Sequence, residues 1–145
     1  RLLGRIICRA VLGHAKAEVA YGAGESFSGS ESIVAIARGA YETKSEDAVR
    51  GTGYVVESLE AALWCFMKSD SFEEAILKAT NLGDDADTTA AVCGQVAGAY
   101  YGASQIPADW LQMLVMRSEI TGLADQLWRR ASASGATQGI LPPQT

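Results

Sequence analysis

The chain has 145 residues, room for one domain, and its 48% apolar and 20% charged content is that of a globular protein rather than a disordered one. Lys+Arg total 12 against 17 for Asp+Glu, a net charge of −5, which argues against a binder of nucleic-acid backbones. No apolar run approaches the about 18 residues of a membrane span. The cysteines Cys8, Cys65 and Cys93 lack CxxC spacing and His14 stands alone, which speaks against a disulfide scaffold or a zinc site and for a reducing, cytoplasmic setting.

Helical periodicity dominates, and the one β-like run, Tyr54-Val55-Val56, is short. Residues 2–20 carry Leu3, Ile7, Ala10 and Val11 on one face, and residues 30–42 carry Ile33, Val34, Ile36 and Ala37. Ser45 is placed to cap a short acidic turn over 45–50. The strongest core helix runs over 55–68, with Val55, Val56, Leu59, Ala62, Leu63, Phe66 and Met67 repeating at three and four. Ser71 with Glu74 forms a capping box for a helix reaching about Asn81. The loop Leu82 to Asp87 then enters a helix over 88–101, and Pro107 suits the first turn of the next. Helices near 107–115 and 118–130 follow. The expected organisation is an all-α domain over 1–130, with a Ser, Gly and Pro-rich tail at 131–145 that is expected to be disordered.

Chemistry concentrates in Asn81-Leu82-Gly83-Asp84-Asp85-Ala86-Asp87-Thr88-Thr89. One carboxylate at a helix N-terminus is explained by the macrodipole, worth about 0.3–1 kcal/mol. Three within four positions repel one another. Either water screens them as an acidic cap, or a hard cation such as Mg²⁺ or Mn²⁺ compensates them. The spacing is not that of an EF-hand, and Asp85-Ala86-Asp87 alone is only a weak sugar-transferase-like DxD. Gly94, Gly98 and Gly102 form a row at four-residue spacing that predicts close backbone packing of the following helix. Upstream, Gly51-Thr52-Gly53-Tyr54 is either an ordinary turn or a backbone that approaches a ligand. Cys65 and Cys93 read as packed small hydrophobes, and His14 as a capping or surface residue.

Three stretches resemble the ADP-ribosylglycohydrolases. They are Gly53 to Trp64, Gly83-Asp84-Asp85-Ala86-Asp87-Thr88 with Ala90-Ala91 and Gly94 to Gly102, and Ile106-Pro107 with Trp110-Leu111 through Glu119-Ile120 and Leu123-Ala124-Asp125. The similarity covers about residues 50–128 and corresponds to the C-terminal half of a family domain, bacterial members included. It implies a compact, multi-helix, all-α fold with a dinuclear Mg²⁺ or Mn²⁺ centre. The implied activity is cleavage of the bond between ADP-ribose and an acceptor such as a protein side chain. By motif match the metal ligands fall on Asp85, Asp87 and Thr88, and the substrate-binding loop on Gly53, Tyr54 and Val55. Asp84, often glycine in the family, is assigned a supporting acceptor role behind the ligands rather than ligation.

The family's other metal segment and its catalytic carboxylate have no counterpart in residues 1–49, where Glu18, Glu25, Glu31 and Glu42 stand isolated. The chain starts at Arg1 with no methionine, and the expectation is of a C-terminal half-domain, its other half either belonging to the same protein outside this chain or lost by truncation. No catalytic residue is therefore assigned here, and the chain alone is expected not to turn over. The expected partners are ADP-ribose or an ADP-ribosylated protein and the missing half, with no nucleic acid and no membrane. The alternative is a catalytically inactive ADP-ribose-binding or structural, crystallin-like relative. Gly53→Val is expected to weaken nucleotide binding while sparing metal affinity.

Overall fold

A computed structural model describes residues 1–22, 24 and 27–133. Among these there are eight α-helices and no strand: α1 (Leu2–Val11), α2 (Lys16–Tyr21), α3 (Glu31–Ala37), α4 (Val55–Met67), α5 (Phe72–Asn81), α6 (Ala86–Tyr101), α7 (Ala108–Met113) and α8 (Arg117–Ala133). Short 3-10 turns at Glu46–Ala48 and Ala103–Gln105 join α3 to α4 and α6 to α7. The all-α expectation holds. Tyr54-Val55-Val56 enters α4 instead of pairing as a strand.

The packing centre is α6, which lies against α1, α4 and α5, while α4 also meets α5, α2 and α3. Apolar residues recur on every side of α4, and Ala61 to Phe66 are all buried, so this helix is core along most of its length. Ser71 caps α5 as its sequence predicts. Its Oγ accepts the Glu74 N–H at 3.1 Å, and the Glu74 carboxylate reaches back to the Asp70 N–H at 2.8 Å. Lys44 pairs with Glu60 at 2.7 Å, and the Trp64 Nε1–H donates to the Lys44 carbonyl at 3.0 Å, which ties the segment before α4 onto that helix. Lys16 at the start of α2 donates to the Ser69 carbonyl and, at 3.0 Å, to the Tyr101 hydroxyl. Its ammonium lies 4.9 Å from the centre of the Phe66 ring, and desolvation there pulls its pKa below the usual lysine value.

Several details depart from the sequence pattern. The stretch 2–20 is two helices, because Gly13 at φ 77° breaks the run. The buried residues of α1 are Leu2, Ile6 and Ala10; of the expected set Ala10 is buried, Leu3 and Ile7 are half-buried against the core, and Val11 is exposed. α6 begins at Ala86, two residues early, so Asp87 and Thr88 lie in its first turn. The glycine row is not a close backbone seam. A Cβ on Gly94 would sit 3.5 Å from Ile76 Cδ1, one on Gly98 would sit 3.8 Å from Phe72, and Gly102 ends the helix at φ 83° facing open space. α8 continues through Ala133, three residues into the expected tail, and residues 134–145 lie outside the described residues. Cys65 and Cys93 are buried, and desolvation pushes both thiols up to about 12, whereas Cys8 is exposed. His14 is half-buried at the start of α2 and lies 3.3 Å from Glu18.

Candidate functional site

Two loops form the site, one entering α4 and one entering α6. The acidic loop turns sharply because consecutive residues, Gly83 at φ 76° and Asp84 at φ 53°, take left-handed conformations. Asp is among the few side chains that tolerate this. Asp85 is the residue before α6, and its carbonyl accepts the Thr89 N–H at 3.1 Å. Its own N–H donates to the Gly51 carbonyl at 2.7 Å, a backbone link that clips the acidic loop to the glycine loop.

The contact continues through side chains. Asp85 Oδ2 would lie 2.8 Å from a Cβ built on Gly53, so only a glycine there leaves the carboxylate its present position. Gly51 is buried, and its missing Cβ would lie 3.0 Å from Thr89 Oγ1 and 3.4 Å from the Gly83 carbonyl. Thr89 Oγ1 is itself buried with no hydrogen-bond partner. Gly51 is thus set by close packing, and a side chain at Gly53 would displace the Asp85 carboxylate. The expectation that Gly53→Val would spare the metal side is revised: an added side chain meets Asp85 first.

The neighbouring Asp85 side chain, followed by the Thr88 N–H at 2.9 Å, holds Asp87 below the ordinary carboxylate value. Asp85, Asp87 and Thr88 offer hard oxygen donors at the start of α6, so their chemistry fits part of a Mg²⁺ or Mn²⁺ site. Among the described residues no group of three or more His, Cys, Asp or Glu side chains converges as a metal cage. Asp84 points its carboxylate elsewhere, 3.6 Å from the Arg50 guanidinium, with both side chains largely in solvent.

A cavity of about 470 Å³ opens beside the loops, with Gly53, Val55, Ser58 and Thr88 on its wall among apolar residues that include Leu2, Ile33, Leu59 and Val92. Gly53 and Val55 from one expected segment therefore share a wall with Thr88 from the other. Tyr54 does not line it and is 61% exposed. Sequence reasoning missed the residues that hold the glycine loop. Thr52 donates its hydroxyl proton to Glu57 and accepts the Tyr54 N–H at 3.2 Å. Ser58 Oγ lies within hydrogen-bonding reach of the Thr52 carbonyl and, at 3.2 Å, of the Tyr54 carbonyl. The signal existed, but at a spacing of five from Thr52 to Glu57 instead of the three of a capping box.

The family model for ADP-ribosylglycohydrolases matches residues 2–137. An all-helical fold, an acidic loop opening α6 and a glycine loop clipped against it agree with that match: the chain belongs to the ADP-ribosylglycohydrolase family. It is 50% identical over 99 residues to the ADP-ribosylarginine hydrolase Tri1 of Serratia proteamaculans, covering 68% of this chain and 27% of that protein. It is 37% identical over 70 residues to the ADP-ribosyl-[dinitrogen reductase] glycohydrolase of Rhodospirillum rubrum, covering 48% of this chain and 24% of that protein. A solved ADP-ribosylglycohydrolase-related protein complex contains a chain that superposes with a TM-score of 0.79 at 36% identity, covering 88% of this chain and 44% of that one. The chain therefore spans about a quarter of the length of these curated relatives. No helix among the described residues is long and apolar enough to cross a membrane.

Proposed function

We propose that this chain is the C-terminal part of a metal-dependent hydrolase that cleaves the glycosidic bond between ADP-ribose and an acceptor such as a protein side chain. In this reading Asp85, Asp87 and Thr88 hold Mg²⁺ or Mn²⁺ as half of a two-metal centre, and Gly53, Tyr54 and Val55 bind the nucleotide. The observation that carries it is the union of the two loops: the Asp85 N–H bonds to the Gly51 carbonyl at 2.7 Å, and Gly53 and Thr88 line one cavity. When bound, the metals would hold ribose hydroxyls and activate a water near the anomeric carbon. The chain's own share is to fix the two carboxylates at the mouth of α6 and to set the glycine backbone beside them. Arginine is the acceptor this reading favours, because the Tri1 relative is an ADP-ribosylarginine hydrolase. The free thiols of Cys8, Cys65 and Cys93 support a cytoplasmic setting.

Calorimetric titration of Mn²⁺ into the full-length protein tests the ligand assignment. Asp85→Asn and Asp87→Asn are each expected to weaken binding by tenfold or more, at about 1.4 kcal/mol per decade. Wild-type affinity in both variants would overturn it. A second reading, an ADP-ribose binder without turnover, draws on the cavity that Gly53, Val55 and Thr88 line. Assaying the chain with Mn²⁺ on an ADP-ribosylated protein, with and without an N-terminal fragment, separates the two. Turnover only on complementation supports the half-site, and ADP-ribose binding with no turnover in the full-length protein supports the binder.

A further inference from the structure

We propose that Glu57 is a positioning residue of this site, acting through Thr52 and the Tyr54 N–H to hold the backbone that presents Gly53 and Val55 to the nucleotide. The inference rests on the reading above that this loop faces ADP-ribose.

Glu57 lies half-buried in the first turn of α4, where the helix N-terminus favours a carboxylate. Its carboxylate accepts the Thr52 hydroxyl proton, which turns the Thr52 oxygen lone pairs toward the Tyr54 N–H at 3.2 Å. The chain of contacts therefore runs from Glu57 to Thr52 to the backbone of the loop tip. A hydrogen bond to an ionised acceptor is about twice as strong as a neutral one, so the carboxylate dominates this chain. Ser58 holds the other side of the same backbone through the Thr52 and Tyr54 carbonyls. Between them the two side chains fix a segment that glycines at 51 and 53 would otherwise leave loose. Gly53, Val55 and Ser58 line the cavity while Glu57 does not, so Glu57 reaches a ligand there only through the loop it holds.

Removing Glu57 leaves the Thr52 hydroxyl without its acceptor and frees the loop, while Asp85 stays clipped to Gly51 by backbone. Nucleotide affinity should then fall without loss of metal affinity. In the full-length protein, Glu57→Ala is expected to raise the ADP-ribose Kd and the KM about five- to tenfold, up to one decade of affinity, with kcat and Mn²⁺ affinity within about twofold. Glu57→Gln keeps an acceptor oxygen at the same reach and is expected to restore most of the loss. Thr52→Val is expected to match Glu57→Ala, and the double variant to lose no more than either alone. Equal losses in Glu57→Gln and Glu57→Ala with Thr52→Val neutral would overturn the proposal in favour of a carboxylate that meets the ligand directly. A lowered Tm with unchanged Kd would overturn it in favour of a purely structural role. Gly53→Val in the same titration separates the two levels. Unchanged ADP-ribose binding in that variant would defeat the loop reading and this inference together. Weakened binding there, with Glu57→Ala neutral, would defeat this inference alone.

Discussion

α4 and α6 differ sharply from α7 and α8, although all four carry apolar residues at helical spacing. Leu63 and Phe66 of α4 and Cys93 and Val96 of α6 are fully buried. α7 and α8 bury no residue at all, and Met113, Val115, Leu123 and Leu127 stand 61–82% exposed. The difference is the presence of a partner, not the pattern. α6 has α1, α4 and α5 around it, whereas the stripe Ile120, Leu123 and Leu127 meets little within the described residues. α7 is tethered mainly by Trp110, whose ring lies 6.3 Å from that of Phe72 in an edge-on contact. Periodicity reports which face wants burial; only the surrounding elements decide whether it is buried.

The largest effect expected from this contrast is at Phe66. Its ring is buried and packs edge-on to Tyr100 and Tyr101 at 5.4 and 6.2 Å. Phe66→Ala removes those contacts and leaves a cavity, so urea unfolding should show a loss of about 3–5 kcal/mol. A loss under about 1 kcal/mol would mean that the α4–α6 core is loose, and the contrast with α8 would collapse.

The site sharpens the comparison, because its two glycines sit on opposite sides of the packed boundary. Gly51 is buried and its Cβ would press the buried Thr89 hydroxyl at 3.0 Å, so Gly51→Ala should cost about 1–3 kcal/mol through overpacking. Gly53 is exposed and its Cβ would meet only the end of the Asp85 side chain at 2.8 Å, which can rotate away. Gly53→Ala should then leave stability within about 0.5 kcal/mol. The Mn²⁺ affinity should fall severalfold in calorimetry, because the displaced group is the proposed ligand. Equal stability losses at both positions would place Gly53 inside the packed region.

Gly94 offers a gain instead of a loss. A Cβ there would sit at an ordinary 3.5 Å from Ile76, so the helix-propensity term is not opposed by a clash. Gly94→Ala should stabilise by up to about 1 kcal/mol in thermal or urea unfolding. Destabilisation would restore the close backbone seam that the glycine spacing suggested.

Local chemistry explains what was legible in the sequence. The Ser71 cap and the acidic entry to α6 rest on residues within a few positions of one another; the cap is found where its spacing placed it, and the helix after the acidic loop starts two residues early. The break between α1 and α2 was harder, since a lone glycine at 13 is a weak punctuation mark without its φ of 77°. The inward face of α1 was legible only in part, because Leu2, Leu3, Ile6 and Ile7 all satisfy a helical repeat and the structure centres the buried stripe on Leu2, Ile6 and Ala10. The link from Gly51 to Asp85 spans two loops that sequence separates by a helical pair, so no local pattern could announce it. For the same reason the dependence of Asp85 on the missing Cβ of Gly53 emerged only from the packing.

The smallest expected effect lies on α8 and tests the contrast most directly. Leu123 and Leu127 are 61% and 68% exposed, one turn apart on the same stripe. An exposed leucine has little transfer free energy to lose, so Leu123→Gln and Leu127→Gln in this chain should each change the unfolding free energy by no more than about 0.5 kcal/mol. The glutamines keep good helix propensity, which leaves tertiary packing as the variable that changes. The same substitutions in the full-length protein carry the opposite expectation if further elements cover the stripe. Truncating a buried leucine costs about 2–5 kcal/mol, and a buried unpaired amide adds to that. A loss of about 2 kcal/mol or more in this chain by itself would mean that α8 already packs on the α4–α6 core. Matching small effects in both contexts would instead make the stripe a surface that the rest of the protein leaves open.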